Sequence, residues 1–323
     1  MTAPPLRIVF FGTPEFAVPS LDAVIQSRHE LVALVSQPDR PKGRGQQVQV
    51  TPTKAAAAAH GIPVLQPSKI RDEAFLQQIR DVGPDLGIVV AFGRLLPDAL
   101  LAIPRLGMIN VHASILPRYR GAAPIQRAVL AGDAETGVTI MRVITEMDAG
   151  PTFAVATVPI PADATSADMA VTLAQIGAEL LLPVVEDLAA GRAVETPQDD
   201  ARATHAAKIS KAESAIDWSE PAAVVHNKVR GLQPWPLAST RLAGERLVLR
   251  RTSPVPVPAD PDLTPGPGTP GRILRAQGDE LIVACGAGTA LRVLDIQPEG
   301  RRAMTAREFM AGRGVTEGAR FEP

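Results

Sequence analysis

Asn110, His112 and Asp148 are the residues whose types and spacing could do chemistry together. Asn110 and His112 stand two apart in Gly107-Met108-Ile109-Asn110-Val111-His112, an alternation of apolar and polar residues between a Gly turn and a Ser/Pro break. That pattern predicts a short strand. Side chains two apart on a strand share a face, so the amide and the imidazole project together at its C-terminal end. Open α/β sheets keep their ligand crevice there. A second predicted strand, Gly137 to Val143, ends in a turn carrying Asp148. A carboxylate beside a histidine fixes its tautomer and favours its charged form, and an Asn amide donates to a developing oxyanion. The trio suits acyl transfer to an amine without a protein nucleophile. Each member also has a structural use: Asn-x-His pairs occur in ordinary strands, and an Asp before Ala-Gly caps a turn. The segment Ser114 to Pro124, rich in Arg and carrying the only Tyr, lies at a strand end where loops hold ligands.

The elements that must position these groups follow from periodicity. Leu6 to Phe11 is an apolar strand ending at Gly12, with Thr13 expected as N-cap and Pro14 as first residue of a helix to about Ser27. A dinucleotide-binding turn needs Gly-x-Gly-x-x-Gly here, and only Gly12 is present. Leu31 to Ser36 is the second strand. Gln37 to Val50 reads as an irregular basic loop with Arg40, Lys42 and Arg44, suited either to a phosphate backbone or to solvent. Thr51-Pro52 starts an Ala-rich helix, Ile62 to Leu65 is a strand, Ile70 to Arg80 a helix, and Leu86 to Ala91 the continuous apolar run of a buried parallel strand. After Pro124 come a helix to Ala131, the Gly137 strand, a strand near Phe153 to Val158, and a long helix from about Ser166 to Ala190 that Pro183 should kink. The alternation implies a mostly parallel sheet with helices on both faces.

Residues 191–207 lose periodicity and read as a linker, which divides the chain into 1–190 and 208–323. Beyond it a helix from Pro221 to Arg230 precedes short alternating runs, Leu247 to Arg250, Gly271 to Leu274, Glu280 to Cys285 and Ala290 to Ile296, as a small barrel requires. Pro254 to Pro270, with seven prolines in 17 residues, is expected to be an exposed loop outside any central strand. Thr305 to Gly312 is a closing helix with Met304, Phe309 and Met310 on its packed face, and Trp235, between two prolines, is expected to plug the core.

Net charge is -1, but residues from Ala207 onward carry 16 Lys+Arg against 13 Asp+Glu, or +3, leaving -4 for the rest. The C-terminal part is the better candidate for a polyanion partner. One Cys excludes a disulfide framework, and five His without Cys clusters offer no metal-ligand spacing. No stretch of about 18 uninterrupted apolar residues appears, so a soluble cytoplasmic monomer without a membrane segment is expected.

Phe11-Gly12-Thr13-Pro14-Glu15-Phe16, Gln37-Pro38-Asp39-Arg40-Pro41, Gly43-Arg44-Gly45, Asn110-Val111-His112, Leu116 to Gln126, Gly132 to Met141 and Ile216-Asp217-Trp218 follow one another from near residue 6 to near residue 310. In these stretches the chain resembles the folate-dependent formyltransferases. The resemblance implies a Rossmann-like α/β catalytic domain followed by a small OB-like β-barrel, and transfer of a formyl group from 10-formyltetrahydrofolate, with no metal, to the α-amine of methionine on charged initiator tRNA. It implies Asn110, His112 and Asp148 as the catalytic set and Ser114-Ile115-Leu116-Pro117 as the folate signature. Phe92, Leu95 and Leu96 would line the pteridine pocket. Arg40, Lys42 and above all Arg44, with Lys208 and Lys211 heading the tRNA-binding domain, would face the tRNA. Ala113, Ile115 and Tyr119 stand where the family has Gly, Leu and Trp. Alternatives are a related transferase for a small amine, such as glycinamide ribonucleotide or an amino sugar, and a noncatalytic tRNA-binding relic.

On this reading Arg44→Ala weakens the use of charged tRNA and lowers its salt sensitivity by one phosphate contact, leaving folate binding unchanged. Equal losses in tRNA use and folate affinity, measured in parallel, would make the loop structural.

Overall fold

The computed structural model describes residues 3–42, 47–257 and 269–323. Their contacts form two compact units: Met1–Pro124, Glu135–Pro159 and Ala170–Ala207 make the first, and Ile125–Ala134, Ile160–Met169 and Lys208–Pro323 the second.

The first unit is built on strands β1 (Arg7–Gly12), β2 (Glu30–Val35), β3 (Arg40–Lys42), β4 (Gln47–Gln49), β5 (Val64–Leu65), β6 (Leu86–Val90), β7 (Met108–His112), β8 (Arg120–Gly121), β9 (Glu135–Arg142), β10 (Thr152–Pro159) and β11 (His205–Ala206). Seven of them form one sheet in the order β10-β9-β7-β6-β1-β2-β5. From β5 to β7 every pairing is parallel, and β9 and β10 add antiparallel strands beyond β7. Every residue of β6 is buried, as its uninterrupted apolar run requires for a strand covered on both faces.

Helices α1 (Val18–Gln26), α2 (Pro52–Ala59), α3 (Glu73–Asp81) and α4 (Asp98–Leu101) connect the parallel strands. In α3, Asp72 caps the Ala74 amide at 3.2 Å, and Phe75, Leu76 and Ile79 pack with Val9, Phe11 and Val35 on one sheet face. Helix α5 (Pro124–Ala131) precedes β9, and α6 (Ser166–Ala189) follows β10 and runs on through Pro183. By length and composition α6 could cross a membrane. Within the first unit its apolar residues Leu173, Leu181, Val185 and Leu188 are buried. Gly177 has no Cβ because one would stand 2.7 Å from Val111 Cγ1, which lets the helix lie close over β7.

The second unit contains α7 (Ala222–Gly231), strands β12 (Ala238–Leu242), β13 (Glu245–Val255), β14 (Ile273–Gln277), β15 (Glu280–Ala284), β16 (Ala290–Pro298), β17 (Met304–Thr305) and β18 (Phe321–Glu322), and α8 (Ala306–Arg313). Antiparallel pairing runs β14-β15-β16-β13-β12-β18. The ring closes where Phe321 N donates to Gly271 O and Ile273 N to Ala319 O, each at 2.8 Å, so the expected barrel forms. Trp218 stacks on Phe321 with ring centroids 5.6 Å apart and donates from Nε1 to Thr240 Oγ1 at 2.9 Å.

Several details depart from the sequence expectation. Thr13 caps no helix: its Oγ1 accepts from Gln37 N at 3.2 Å, and a short 3-10 turn, Glu15–Ala17, intervenes before α1. The Gln37 to Val50 stretch is not wholly irregular, since β3 and β4 pair antiparallel. Pro254 lies inside β13, paired with Leu291. Among the described residues β12 pairs only as far as Leu249, leaving this end of β13 one neighbour there, β16. Trp235 is no plug but 55% exposed, its ring turned outward between the cis peptides Gln233–Pro234 and Trp235–Pro236.

His29 ties the N-terminal strand to α6. Its Nδ1 accepts from Leu6 N at 3.0 Å, and Nε2 lies 3.2 Å from Glu186 Oε1, off hydrogen-bonding alignment. Burial holds the His29 pKa below its ordinary value, against the pull of the Glu186 carboxylate. The folded protein thus binds this proton less readily than the unfolded chain, so stability is full above the unfolded pKa of about 6.5 and falls as pH drops below it. Thermal unfolding between pH 7.5 and 5.5 is expected to show a smaller loss for His29→Asn than for the wild type.

Candidate active site

Strand β7 places Asn110 and His112 on one sheet face beside β9, with His112 paired to Thr139 and Asn110 to Met141. His112 is buried at 5% exposure, whereas Asn110 is half-buried and its carboxamide makes no hydrogen bond among the described residues. His112 Nε2 lies 3.0 Å from the Tyr119 carbonyl, and its Nδ1 lies 3.6 Å from Asp148 Oδ2. Nε2 is within hydrogen-bonding reach of the Tyr119 carbonyl, and the Asp148 carboxylate stands just beyond that reach from Nδ1, at ion-pair distance. Asp148 is fixed in turn by the Gly121 amide, which donates to Oδ2 at 2.8 Å. The structure thus brings the three expected residues together at one strand end, the imidazole held on two sides and the carboxamide open.

The loop from Ser114 is held from beneath by β9. Thr139 Oγ1, fully buried, donates to Ser114 O at 2.7 Å and accepts from Leu116 N at 3.1 Å. Ser114, also buried, donates from Oγ to Arg118 O at 2.6 Å, and the Leu116–Pro117 peptide is cis. Ile115 and Pro117 are half-buried and Leu116 is buried. Ala113 is absent from the residues with positive φ, so an alanine fits where the family has glycine. Tyr119 and Asp148 do adopt positive φ, +62° and +52°.

The segment after β6 is sharply turned, with positive φ at Ala91 and Gly93. Phe92 packs edge-on against Phe11 at 5.5 Å, and its carbonyl accepts from Gln37 Nε2 at 3.1 Å. Leu96 joins the same core cluster, and Leu95 is 61% exposed.

Of the expected tRNA contacts, Arg40 is exposed on β3, Lys42 ends that strand, and Arg44 lies outside the described residues. Lys208 and Lys211 are exposed residues of the second unit. The base of the basic loop is anchored by Asp39, which accepts from Lys54 Nζ at 2.5 Å and Gln66 Nε2 at 2.8 Å. Those bonds hold the Asp39 carboxyl below the usual carboxylate range. Among the described residues no His/Cys/Asp/Glu group could hold a metal ion.

Sequence reasoning missed Gln198, in the stretch expected to be a linker. Its Nε2 donates to Asp148 O at 2.9 Å and Gly150 O at 2.7 Å, and its Oε1 accepts from Arg120 Nη2 at 2.8 Å. Nothing in local pattern singles it out, because its partners are 48 to 78 residues away.

Family models match both parts of the chain. Residues 6–185 match the formyl transferase model and residues 208–314 the formyl transferase C-terminal domain. The chain belongs to the formyl transferase family. It is 43% identical over 316 residues to the methionyl-tRNA formyltransferase of Moorella thermoacetica, covering 97% of this chain and 98% of that one. It is 46% identical to the enzyme of that name from Methylococcus capsulatus, covering 94% and 96%. Among solved structures, the N-formyltransferase of Helicobacter canadensis with folinic acid and dTDP-3-aminofucose superposes with a TM-score of 0.67 at 14% identity, over 91% of this chain and 99% of that one. HypX of Aquifex aeolicus with tetrahydrofolic acid gives 0.64 at 18%, this chain spanning 97% of its own length but about half, 49%, of the HypX chain. At such identities these two likenesses establish fold.

Thr139→Val keeps the shape of the buried side chain and orphans Ser114 O and Leu116 N. Denaturant unfolding is expected to show a loss of about 1–3 kcal/mol, and Thr139→Ser, which keeps the hydroxyl, should recover most of it.

Proposed function

We propose that this formyl transferase family member moves the formyl group of 10-formyltetrahydrofolate to the α-amine of methionine esterified to initiator tRNA, giving formylmethionyl-tRNA. One observation carries the reading: Asn110, His112 and Asp148 converge at the end of β7 in a chain whose near-full-length relatives, at 43–46% identity, are named methionyl-tRNA formyltransferase. A folate donor is supported by structures of the same fold, one in complex with tetrahydrofolic acid and one in the presence of 5-N-formyl-THF.

The acceptor amine arrives neutral and attacks the formyl carbon, and the carbonyl electron pair moves onto oxygen. The tetrahedral species then collapses as the bond to the folate nitrogen breaks. That nitrogen gains a proton and the amine loses one. In this scheme the open Asn110 carboxamide donates to the oxyanion, and removal of one such donor typically costs roughly 100- to 1000-fold in turnover. In its protonated form His112, set between the Tyr119 carbonyl and Asp148, places positive charge beside the oxyanion and relays the proton, through water, to the leaving nitrogen. Asp148 orients the ring. Ser114 to Pro117, with Phe92, Leu95 and Leu96 as the pteridine-side residues, would receive the folate. Arg40, Lys42, Arg44, Lys208 and Lys211 would meet the tRNA, which a small amine acceptor would not need.

Labelled formyl from 10-formyltetrahydrofolate should pass to charged initiator tRNA in preference to glycinamide ribonucleotide. Asn110→Ala and His112→Ala should each lose at least about 100-fold in kcat. Transfer to the small amine alone would retain the chemistry and discard the tRNA substrate; transfer to neither would leave a binding protein.

A further inference from the structure

Both acceptors that hold His112 are presented by backbone of unusual conformation, and the same distant segment grips both. The Tyr119 carbonyl belongs to a residue with φ +62° whose amide donates to Thr204 Oγ1 at 2.8 Å. Asp148, at φ +52°, has its own carbonyl bonded to Gln198 Nε2. Side chains with a Cβ hold such angles only where their surroundings impose them, and here the imposing atoms come from residues 196–206.

The segment is fastened at both ends. Thr196 and Thr152 exchange backbone bonds of 2.8 and 2.9 Å, and β11 pairs parallel with β8. Between them Thr204 O accepts from Arg120 N at 2.9 Å. Gly121, whose amide holds the Asp148 carboxylate, has φ +125° and no room for a Cβ, which would stand 2.8 Å from Ala206 O. The Gln198 carboxamide is saturated: both donors go to the Asp148 turn, and its oxygen takes Arg120, which also pairs with Asp200 at 2.6 Å.

We propose that residues 196–206 form a strap whose Gln198 and Thr204 are positioning residues for the reaction, holding the Asp148 turn and the Tyr119 carbonyl on either side of the His112 ring. The inference rests on the proposed formyl transfer. Neither residue touches the reacting atoms; each acts through the groups that grip the imidazole.

Gln198→Glu is the discriminating variant, because Glu still accepts from Arg120 but has no N–H for the Asp148 and Gly150 carbonyls. Thr204→Val removes the bond to the Tyr119 amide at constant shape, and Thr204→Ser restores it. With 10-formyltetrahydrofolate and charged tRNA, Gln198→Glu and Thr204→Val are expected to lower kcat about 10- to 100-fold. KM for both substrates should stay within about twofold, and Thr204→Ser should recover what Thr204→Val loses. In the free protein, the His112 ring C–H resonances should shift in Gln198→Glu and Thr204→Val. Unchanged kcat with unchanged His112 resonances would overturn the inference. So would a kcat loss that Thr204→Ser fails to rescue and that tracks a fall in melting temperature. If the wild type moved no formyl group to tRNA, the functional reading would fall, and the ring resonances of the free protein would still decide whether the strap governs His112.

Discussion

A buried imidazole needs a partner for each nitrogen, and much of the first unit answers that requirement. His112 sits at the end of a strand with little solvent access. Two loops bring oxygens to it, the Tyr119 carbonyl within hydrogen-bonding reach and the Asp148 carboxylate at ion-pair distance. Both loops pass through the left-handed region at a non-glycine residue, at a cost of order 1–3 kcal/mol each. The parallel sheet, the Thr139 hydroxyl beneath the loop and the segment 196–206 above it supply the bonds that offset this cost.

What could be read in the sequence was what depends on local periodicity. Continuous apolar runs marked β1, β2 and β6, and the alternation through Met108–His112 put Asn110 and His112 on one face before any partner was known. Helices α2, α3 and α8 carry side-chain caps at Thr51, Asp72 and Thr305, signals contained within a few residues. Asp148 was legible as a residue type at a turn, and the family resemblance joined it to the other two.

Illegible features were those whose cause is distant. Strands β3 and β12 are short and largely polar in sequence, Arg-Pro-Lys and Ala-Ser-Thr-Arg-Leu, and lack the alternating apolar face by which a strand is read. Pro254 breaks strands by rule, yet among the described residues it meets one neighbour, on β16. Trp235 is exposed, and the preference of a large ring for the interior gave no sign of it. Gln198 and Thr204 sit in a stretch with no periodicity, and their importance lies wholly in partners on other loops.

The position of that stretch along the chain bears on where the catalytic module ends. The family match for the first domain stops at residue 185, and the last residue of α6 is Ala189. A fragment cut at either point would contain Asn110, His112 and Asp148 and most of the sheet, and would look complete by every elementary criterion of a domain. It would nonetheless lack the residues that clasp its own active-site loops, and would resemble a lock whose tumblers are all present but unsprung. The compact unit that holds these loops runs on to Ala207, past both of those points. Recombining such domains between relatives would have to carry the trailing segment with the catalytic half.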